Sequence, residues 1–261
     1  MKYAHERKQF GKPIIEFPAV FEMLSNMKAK LQASRAMLYE TTRFVSIYKE
    51  LTHISKERKL TPEERAEMKE YTRLADAFTP LLKLMSSEYC NQLAYDAIQI
   101  FGGSGYMKDY PIERIYRDAR ITNIYEGTSQ LQVVAAIRHV TTGTYLAKIK
   151  EYEALAHAPE LDNTYKKLVA MREQYEQAVE KVTSSGNNET IDFHARRMVE
   201  MAGHIILSHL LLQQASICEE YRNSAEIYTR YGEAQVSAAA KYIGCSCTED
   251  IGLFKAVQEE F

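Results

Sequence analysis

The chain has 261 residues, enough for one large or two modest domains with real cores. Lysine and arginine (33) nearly balance aspartate and glutamate (35), and the net charge of −2 removes the basic footprint of a nucleic-acid binder. Hydrophobic residues make up 46%, yet no apolar run approaches membrane-spanning length, and the opening MKYAHERKQFGK lacks the apolar core of a secretory signal.

Helical periodicity dominates and alternating strand-like runs are nearly absent. Val20, Leu24, Met27, Leu31, Leu38, Val45 and Tyr48 follow a heptad spacing, which predicts a buried stripe on a long bundle helix. Residues 50–60 are polar and charged and read as an exposed connection. Thr61-Pro62-Glu63-Glu64 then joins a hydroxyl cap, a proline at the first helical position and a glutamate three residues on, a capping box that starts a second long helix. Leu74, Phe78, Leu81, Met85 and Leu93 continue its buried stripe, and Pro80 is expected to bend or divide it. Gly102, Gly103 and Gly105 stop that helix, Pro111 fits the first turn of a short one, and Thr128 opens another running to about residue 142.

Beyond Gly143 helical patterns recur at about 144–157, 163–183, 189–222 and 224–243. They are broken by Pro159 and by Ser184-Ser185-Gly186-Asn187-Asn188. Residues 205–212 are apolar on most faces and are expected at the centre of this second part. The predicted fold is all-α: an antiparallel helical bundle over 1–143, then a second helical unit over 144–261.

Cys90, Cys218, Cys245 and Cys247 are too few and too scattered for a disulfide framework, which points to a reduced, cytoplasmic protein. Cys245-Ser-Cys247 has no nearby pair to complete four ligands, and the seven histidines show no ligand spacing, so no metal site is expected.

Three segments carry possible chemistry. Glu126, between Tyr125 and Gly127, is either a carboxylate favourably placed near a helix N-terminus or a base facing a ligand. Ile124 and Tyr125 before it are expected to limit solvent, and Gly127 allows close backbone approach. The glycines of Gln99-Ile-Phe-Gly-Gly-Ser-Gly105 read equally as a helix stop and as a place where backbone meets a phosphate or an adenine. No strand precedes them, so they are not a dinucleotide fingerprint. Arg7 offers a fork suited to phosphate oxygens and Phe10 a ring that can pack on another, although a solvated N-terminal turn reads the same way.

Taken together and in this order, the segments resemble the C-terminal half of the acyl-CoA dehydrogenase family. The family's glycine signature is met by Gln99, Gly102, Gly103, Gly105, Tyr106, Asp109, Arg114 and Asp118. ERKQFGKPI matches its arginine-containing element, and IYEGTSQLQ matches the segment that carries the catalytic glutamate in short- and medium-chain members. The resemblance implies a flavoenzyme that oxidises an acyl-CoA thioester to the trans-2-enoyl-CoA, with Glu126 as the α-proton base and the β-hydrogen leaving as hydride to the flavin. It implies FAD contacts from Arg7, Gln9 and Phe10 and from Gln99, Ile100, Gly102 and Gly103 toward a neighbouring subunit, and from Thr128 and Gln130 in their own. Tyr125 and Gly127 carry over as substrate contacts.

The implied partners are the acyl-CoA substrate, an electron-transfer flavoprotein and further copies in a homodimer or homotetramer, with no nucleic acid or membrane. Family members place a helical domain and a β-domain ahead of this region. The sequence therefore reads as the back portion of a longer enzyme, inactive alone. The part after Gly143 and the charged insertion near 50–70 resemble longer bacterial members, and Phe17-Pro18 stands where many relatives have a flavin-approaching Gln. A non-catalytic helical assembly module and an acyl-CoA oxidase are the alternative readings.

Overall fold

A computed structural model describes residues 1–259. A short helix α1 (Lys2–Glu6) leads into a two-stranded hairpin, β1 (Lys8–Gln9) and β2 (Lys12–Pro13), the one sheet among the described residues. Two 40-residue helices follow, α2 (Pro18–Glu57) and α3 (Pro62–Phe101), packed as an antiparallel pair. Short α4 (Gly103–Tyr106) and α5 (Ile112–Ala119) lead to α6 (Ser129–Thr141). The chain continues through α7 (Thr144–Glu153), α8 (Asp162–Thr183), α9 (Asn188–Ile217), α10 (Arg222–Cys245) and α11 (Thr248–Glu259). The fold is all-α, as the periodicity predicts; the last two positions of the expected second unit, 260 and 261, lie outside the described residues.

Local chemistry explains the helix starts. The Thr61 hydroxyl accepts from the Glu64 amide at 3.2 Å, and the Glu64 carboxylate accepts from the Thr61 amide at 2.8 Å. Arg58 closes on the same carboxylate at 2.8 Å, holding it well below the usual carboxylate range, at about 2. Replacing Thr61 by Ala is expected to lower the stability of the chain by about 1 kcal/mol, read as a reduced urea midpoint at unchanged slope. Thr128 caps α6 in the same manner, accepting from Leu131 N at 3.3 Å.

Four expectations change. Residues 50–57 are not a connection but the last turns of α2, supported by the buried Leu51 and a Thr52 hydroxyl bonded to the Tyr48 carbonyl. Lysine and glutamate are good helix formers, so their charge says solvent rather than loop. The heptad stripe of α2 holds only in part: Val20, Leu24, Met27 and Val45 are partly buried against core residues, but Leu31 and Leu38 are 51% and 46% exposed, while Ala29, Ala33, Ala36, Met37 and Phe44 are buried. The alanines let α2 lie close against α3, α9 and α10 together, so small residues mark the contact face. Pro80 does not divide α3; carbonyls beside it take side-chain donors, Thr79 Oγ1 onto Ala75 and Tyr145 OH onto Ala77, both at 2.7 Å. The helix expected over 189–222 ends at Ile217, because Cys218 is extended and a 3-10 turn spans Glu219–Tyr221.

One apolar cluster runs from Phe44 and Phe78 through Tyr145 and Leu168 to Ile205, Leu211 and Tyr228, so helices on both sides of Gly143 share a core. Residues 205–212 are all buried at its centre, as their composition suggests. A small satellite of Ala4, Ile14 and Ile100 fastens α1 to the end of α3. No described helix is long and apolar enough to cross a membrane.

Polar groups are sealed into the junction of α3, α9 and α10. Tyr89 OH and Tyr228 OH lie 2.6 Å apart, and His204 Nδ1 sits 3.3 and 3.4 Å from them. Lys30 stands over the Tyr231 ring at 4.2 Å and donates to Gln92 at 2.9 Å. A second buried imidazole of α9, His209, sits away from this junction, its ring 6.4 Å from that of Tyr152 of α7 and neither ring nitrogen bonded among the described residues.

Candidate functional site

The residues singled out from the sequence gather at two places. The first is the C-terminal end of α3. Tyr3 stacks on Phe101 at 4.1 Å and donates its hydroxyl to the Phe101 carbonyl at 3.1 Å, which docks α1 and the hairpin against the glycine run. The hairpin pairs Lys8 with Pro13 and Gln9 with Lys12, so Phe10-Gly11 is a two-residue turn with φ of 50° and 84°. Both values suit the right-handed twist of a tight hairpin. Phe10 is nevertheless a bulky residue at positive φ, and its ring is 94% exposed. Arg7 is exposed beside it; with the Gln9 amide turned oxygen-inward, the guanidinium donates to it at 2.7 and 3.3 Å.

On the facing side Gln99 is exposed, and Gly102 and Gly103 are exposed with open space wherever a Cβ would stand. Gly102 has φ 59° and ψ −143°, a region closed to residues with a side chain. Gly105 differs: a Cβ there would meet Phe101 Cβ at 2.8 Å and the Ile98 carbonyl at 3.0 Å, so packing alone demands glycine. Ile100, expected among the cofactor contacts, is buried in the satellite core; its side chain faces Ala4 and Ile14.

The second place is the turn before α6. Among the described residues, Glu126 and Phe10 are the two non-glycine positions with positive φ, each at 50°. Gly127 follows at 95°, and a Cβ there would fall 2.8 Å from Gln132 Nε2. The Glu126 carboxylate is exposed and, among the described residues, has no hydrogen-bond or ion-pair partner. Ile124 and Tyr125 are themselves 41% and 51% exposed, so within this chain they do not shield it, contrary to expectation. They lie in the turn that follows a 3-10 helix over Arg120–Asn123, with their side chains turned largely to solvent. Thr128 and Gln130 are exposed on the first turn of α6.

The turn rests against the middle of α3 through residues that the sequence reading passed over. Lys83 Nζ donates to the Gly127 carbonyl at 2.7 Å and lies 5.3 Å from the centre of the Tyr125 ring. Glu88 accepts from Ser129 Oγ and from Asn123 Nδ2, and Asn91 donates to the Ala119 carbonyl at 3.1 Å. A signal was available: Lys83, Ser87, Glu88 and Asn91 form a polar stripe at helical spacing. The two places are about 25 Å apart along α3 at 1.5 Å per residue. Each is open, so the chain presents two half-sites rather than one closed pocket. Among the described residues no group of three or more histidine, cysteine or acidic side chains is arranged to hold a metal ion.

The fold and these openings define an all-α bundle that presents an unpaired carboxylate and an open glycine cradle to ligands or neighbours. The family model described as the C-terminal domain of acyl-CoA dehydrogenase matches residues 1–51 and 54–141, and a second, described as acyl-CoA dehydrogenase C terminal, matches 141–251. The chain belongs to the acyl-CoA dehydrogenase family and corresponds to its C-terminal portion. It is similar to a caffeyl-CoA reductase–Etf complex subunit of Acetobacterium woodii, 39% identical over 51% of this chain and 28% of the relative. A cyclohexane-1-carbonyl-CoA dehydrogenase of Geobacter metallireducens is 34% identical over 54% of this chain and 30% of the relative. The chain thus spans under a third of the length of these relatives. A crystal structure of an acyl-CoA dehydrogenase from Bacillus anthracis complexed with FAD superposes on 98% of this chain and 47% of its own, with a TM-score of 0.69 at 22% identity, a likeness of fold.

Proposed function

We propose that this chain is the base-bearing portion of a flavin-dependent acyl-CoA dehydrogenase, with Glu126 as the group that removes the α-proton of the thioester. The supporting observation is the Glu126 turn: a charged, unpaired side chain in a left-handed conformation that neighbouring residues hold in place. Backbone strain of this kind costs about 1–3 kcal/mol and persists where function needs the geometry.

The chemistry follows from the acidity of the substrate. An α-C–H beside a thioester is a weak acid, so a carboxylate can take the proton only while the thioester oxygen is polarised. The Glu126 amide is the donor assigned to that oxygen, and Tyr125 and Gly127 are assigned to the walls around the acyl group. FAD, when bound, supplies the hydride acceptor for the β-hydrogen. The residues present fit such a group: Gly102 and Gly103 leave space for close approach, Gln99 flanks them, and the Phe10 ring and Arg7 guanidinium are free to meet an aromatic ring and a diphosphate. Thr128 and Gln130 on α6 are assigned to the nucleotide end. Ile100 contributes its backbone to this set, since its side chain is buried.

Because the two half-sites lie far apart on α3, we assign them to two flavin sites shared between copies in a homodimer or homotetramer. An electron-transfer flavoprotein is the proposed electron partner, in keeping with the Etf complex to which the Acetobacterium relative belongs. The same base returns the proton in the reductive direction, so one geometry serves dehydrogenase and reductase. A cytoplasmic setting is in keeping with four free thiols. Mixing the native holoprotein with acyl-CoA under anaerobic conditions is expected to bleach the visible flavin absorbance, with enoyl-CoA as product. An unchanged spectrum across acyl-CoA chain lengths would sink the proposal, and rapid oxygen consumption during turnover would reassign it to an oxidase.

A further inference from the structure

Lys83 is a cation directed at backbone rather than at a carboxylate. Its ammonium donates to the Gly127 carbonyl at 2.7 Å and reaches the Thr122 carbonyl at 3.5 Å, while the Tyr125 ring lies beside it. Gln132 Nε2 donates to the same Gly127 oxygen at 3.2 Å and to the Glu126 carbonyl at 3.4 Å. Two successive carbonyls are therefore fixed in direction, and with them the peptide that follows Glu126 and the one that follows Gly127. One turn further along α3, Glu88 Oε1 accepts from Ser129 and Asn123, and Arg196 of α9 reaches that same oxygen at 3.4 Å. The carboxylate is thus shared between the turn and a helix from the part of the chain beyond residue 143.

We propose that Lys83 is the positioning residue of the Glu126 turn, and that α9 braces the same turn through Arg196 and Glu88. The role follows from conformational energetics. A glutamate at φ 50° relaxes to negative φ unless the peptides that follow it are held. Such a relaxation swings the carboxylate and its amide out of register together, and a displacement of about 1 Å is enough to cost a hundredfold in rate. A charge-assisted hydrogen bond to a carbonyl is strong enough to hold the minority conformer. Arg196 also gives the C-terminal helices a function at the site: they steady the turn from behind without touching substrate. The inference rests on Glu126 acting as the base.

Two measurements separate the clamp from that premise. In the 261-residue chain, Lys83→Met is expected to speed amide exchange at Ile124, Tyr125 and Leu131, whose N–H groups bond within the turn, by about tenfold or more. Arg196→Met should produce a smaller change at the same amides, and Lys83→Arg, which keeps charge and donors, should restore much of the protection. Exchange in the interior of α3 should stay as in the parent. In the native holoprotein, Lys83→Met should lower kcat by about tenfold with KM within about twofold, the pattern of a misplaced base rather than a lost binding contact. Unaltered exchange at the three amides, or loosening spread equally along α3, would overturn the clamp. If the exchange changes appear while Glu126→Gln remains fully active, the clamp stands and the assignment of the base fails.

Discussion

Glu126→Gln should abolish turnover in the native holoprotein while leaving flavin binding and thermal stability where they were. The change keeps the shape and the hydrogen-bonding reach of the side chain but removes its basicity. General base catalysis by a positioned group contributes about 10²–10⁴ in rate, so kcat should fall by at least two orders of magnitude. No structural penalty is expected. The carboxylate is exposed and has no partner among the described residues, and such surface changes stay within about 0.5 kcal/mol. The backbone that holds the turn is tied through Gly127 and Glu126 carbonyls, which the substitution leaves intact. Stopped-flow mixing with acyl-CoA and a thermal melt on the same sample check both halves. Near-normal activity would remove Glu126 from the mechanism; a large loss of melting temperature would make the carboxylate a structural group instead.

The second large effect is acid sensitivity of the two buried imidazoles of α9, His204 facing α3 and α10 and His209 near Tyr152 and Arg172. Burial, reinforced by the nearby Lys30 ammonium, pushes His204 down to about 3. Burial, with Arg172 above it, pushes His209 down to about 4. Both imidazoles are therefore neutral in the folded chain and take up protons on unfolding below about pH 6.5. Since the unfolded state binds more protons, stability is complete above that value and falls with pH down to the folded values. Two such groups lose about 2.7 kcal/mol per pH unit, or about 5 kcal/mol between pH 6.5 and pH 4.5, a large part of the stability of a typical domain. Carboxylates held low by partners, such as Glu40 beside Arg43 and Tyr152, add their loss only below that window. Urea titrations at pH 7, 6 and 5 should show the midpoint falling steeply. His209→Leu should make that slope shallower without weakening the chain at pH 7, because neither nitrogen has a partner to lose, while His204 and the partly buried His139 and His194, also pushed down by burial, keep the rest of it. A flat profile above pH 5 would show that the two imidazoles are not sealed from water.

What could be read from the sequence was local. The capping box at Thr61 and Glu64 and the Thr128 cap depend on residues three apart, and the structure shows each as its spacing predicts. The apolar stretch at 205–212, interrupted only by Ser208 and His209, is apolar on most faces and lies at the centre as that composition suggests. The glutamate turn, the hairpin arginine and the glycine run were recognisable by their order along the chain, which is how the family could be named from residues alone.

What the sequence left open was decided by contacts between residues far apart in the chain. The core face of α2 is chosen by α3, α9 and α10 jointly, so alanines were buried while Leu31 and Leu38 were not. Ile100 reads like its glycine neighbours but is claimed by α1 folding back 96 positions away, at Ala4. α11 was missed altogether, a short helix whose main contact is with α9. The left-handed backbone at Phe10 and Glu126 has no counterpart in side-chain pattern, because nothing in the identity of either residue demands positive φ. Lys83, 44 positions from the carbonyl it holds, looked like one more surface lysine. Sequence by itself determined most of the longer helices, their hydroxyl caps and the family; tertiary packing alone decided which faces are buried, how far apart the Glu126 turn and the glycine run stand, and what holds that turn. The division follows range: a cap or a period is fixed by neighbours a few bonds away, whereas a face or a strained turn is fixed only when distant helices close on it.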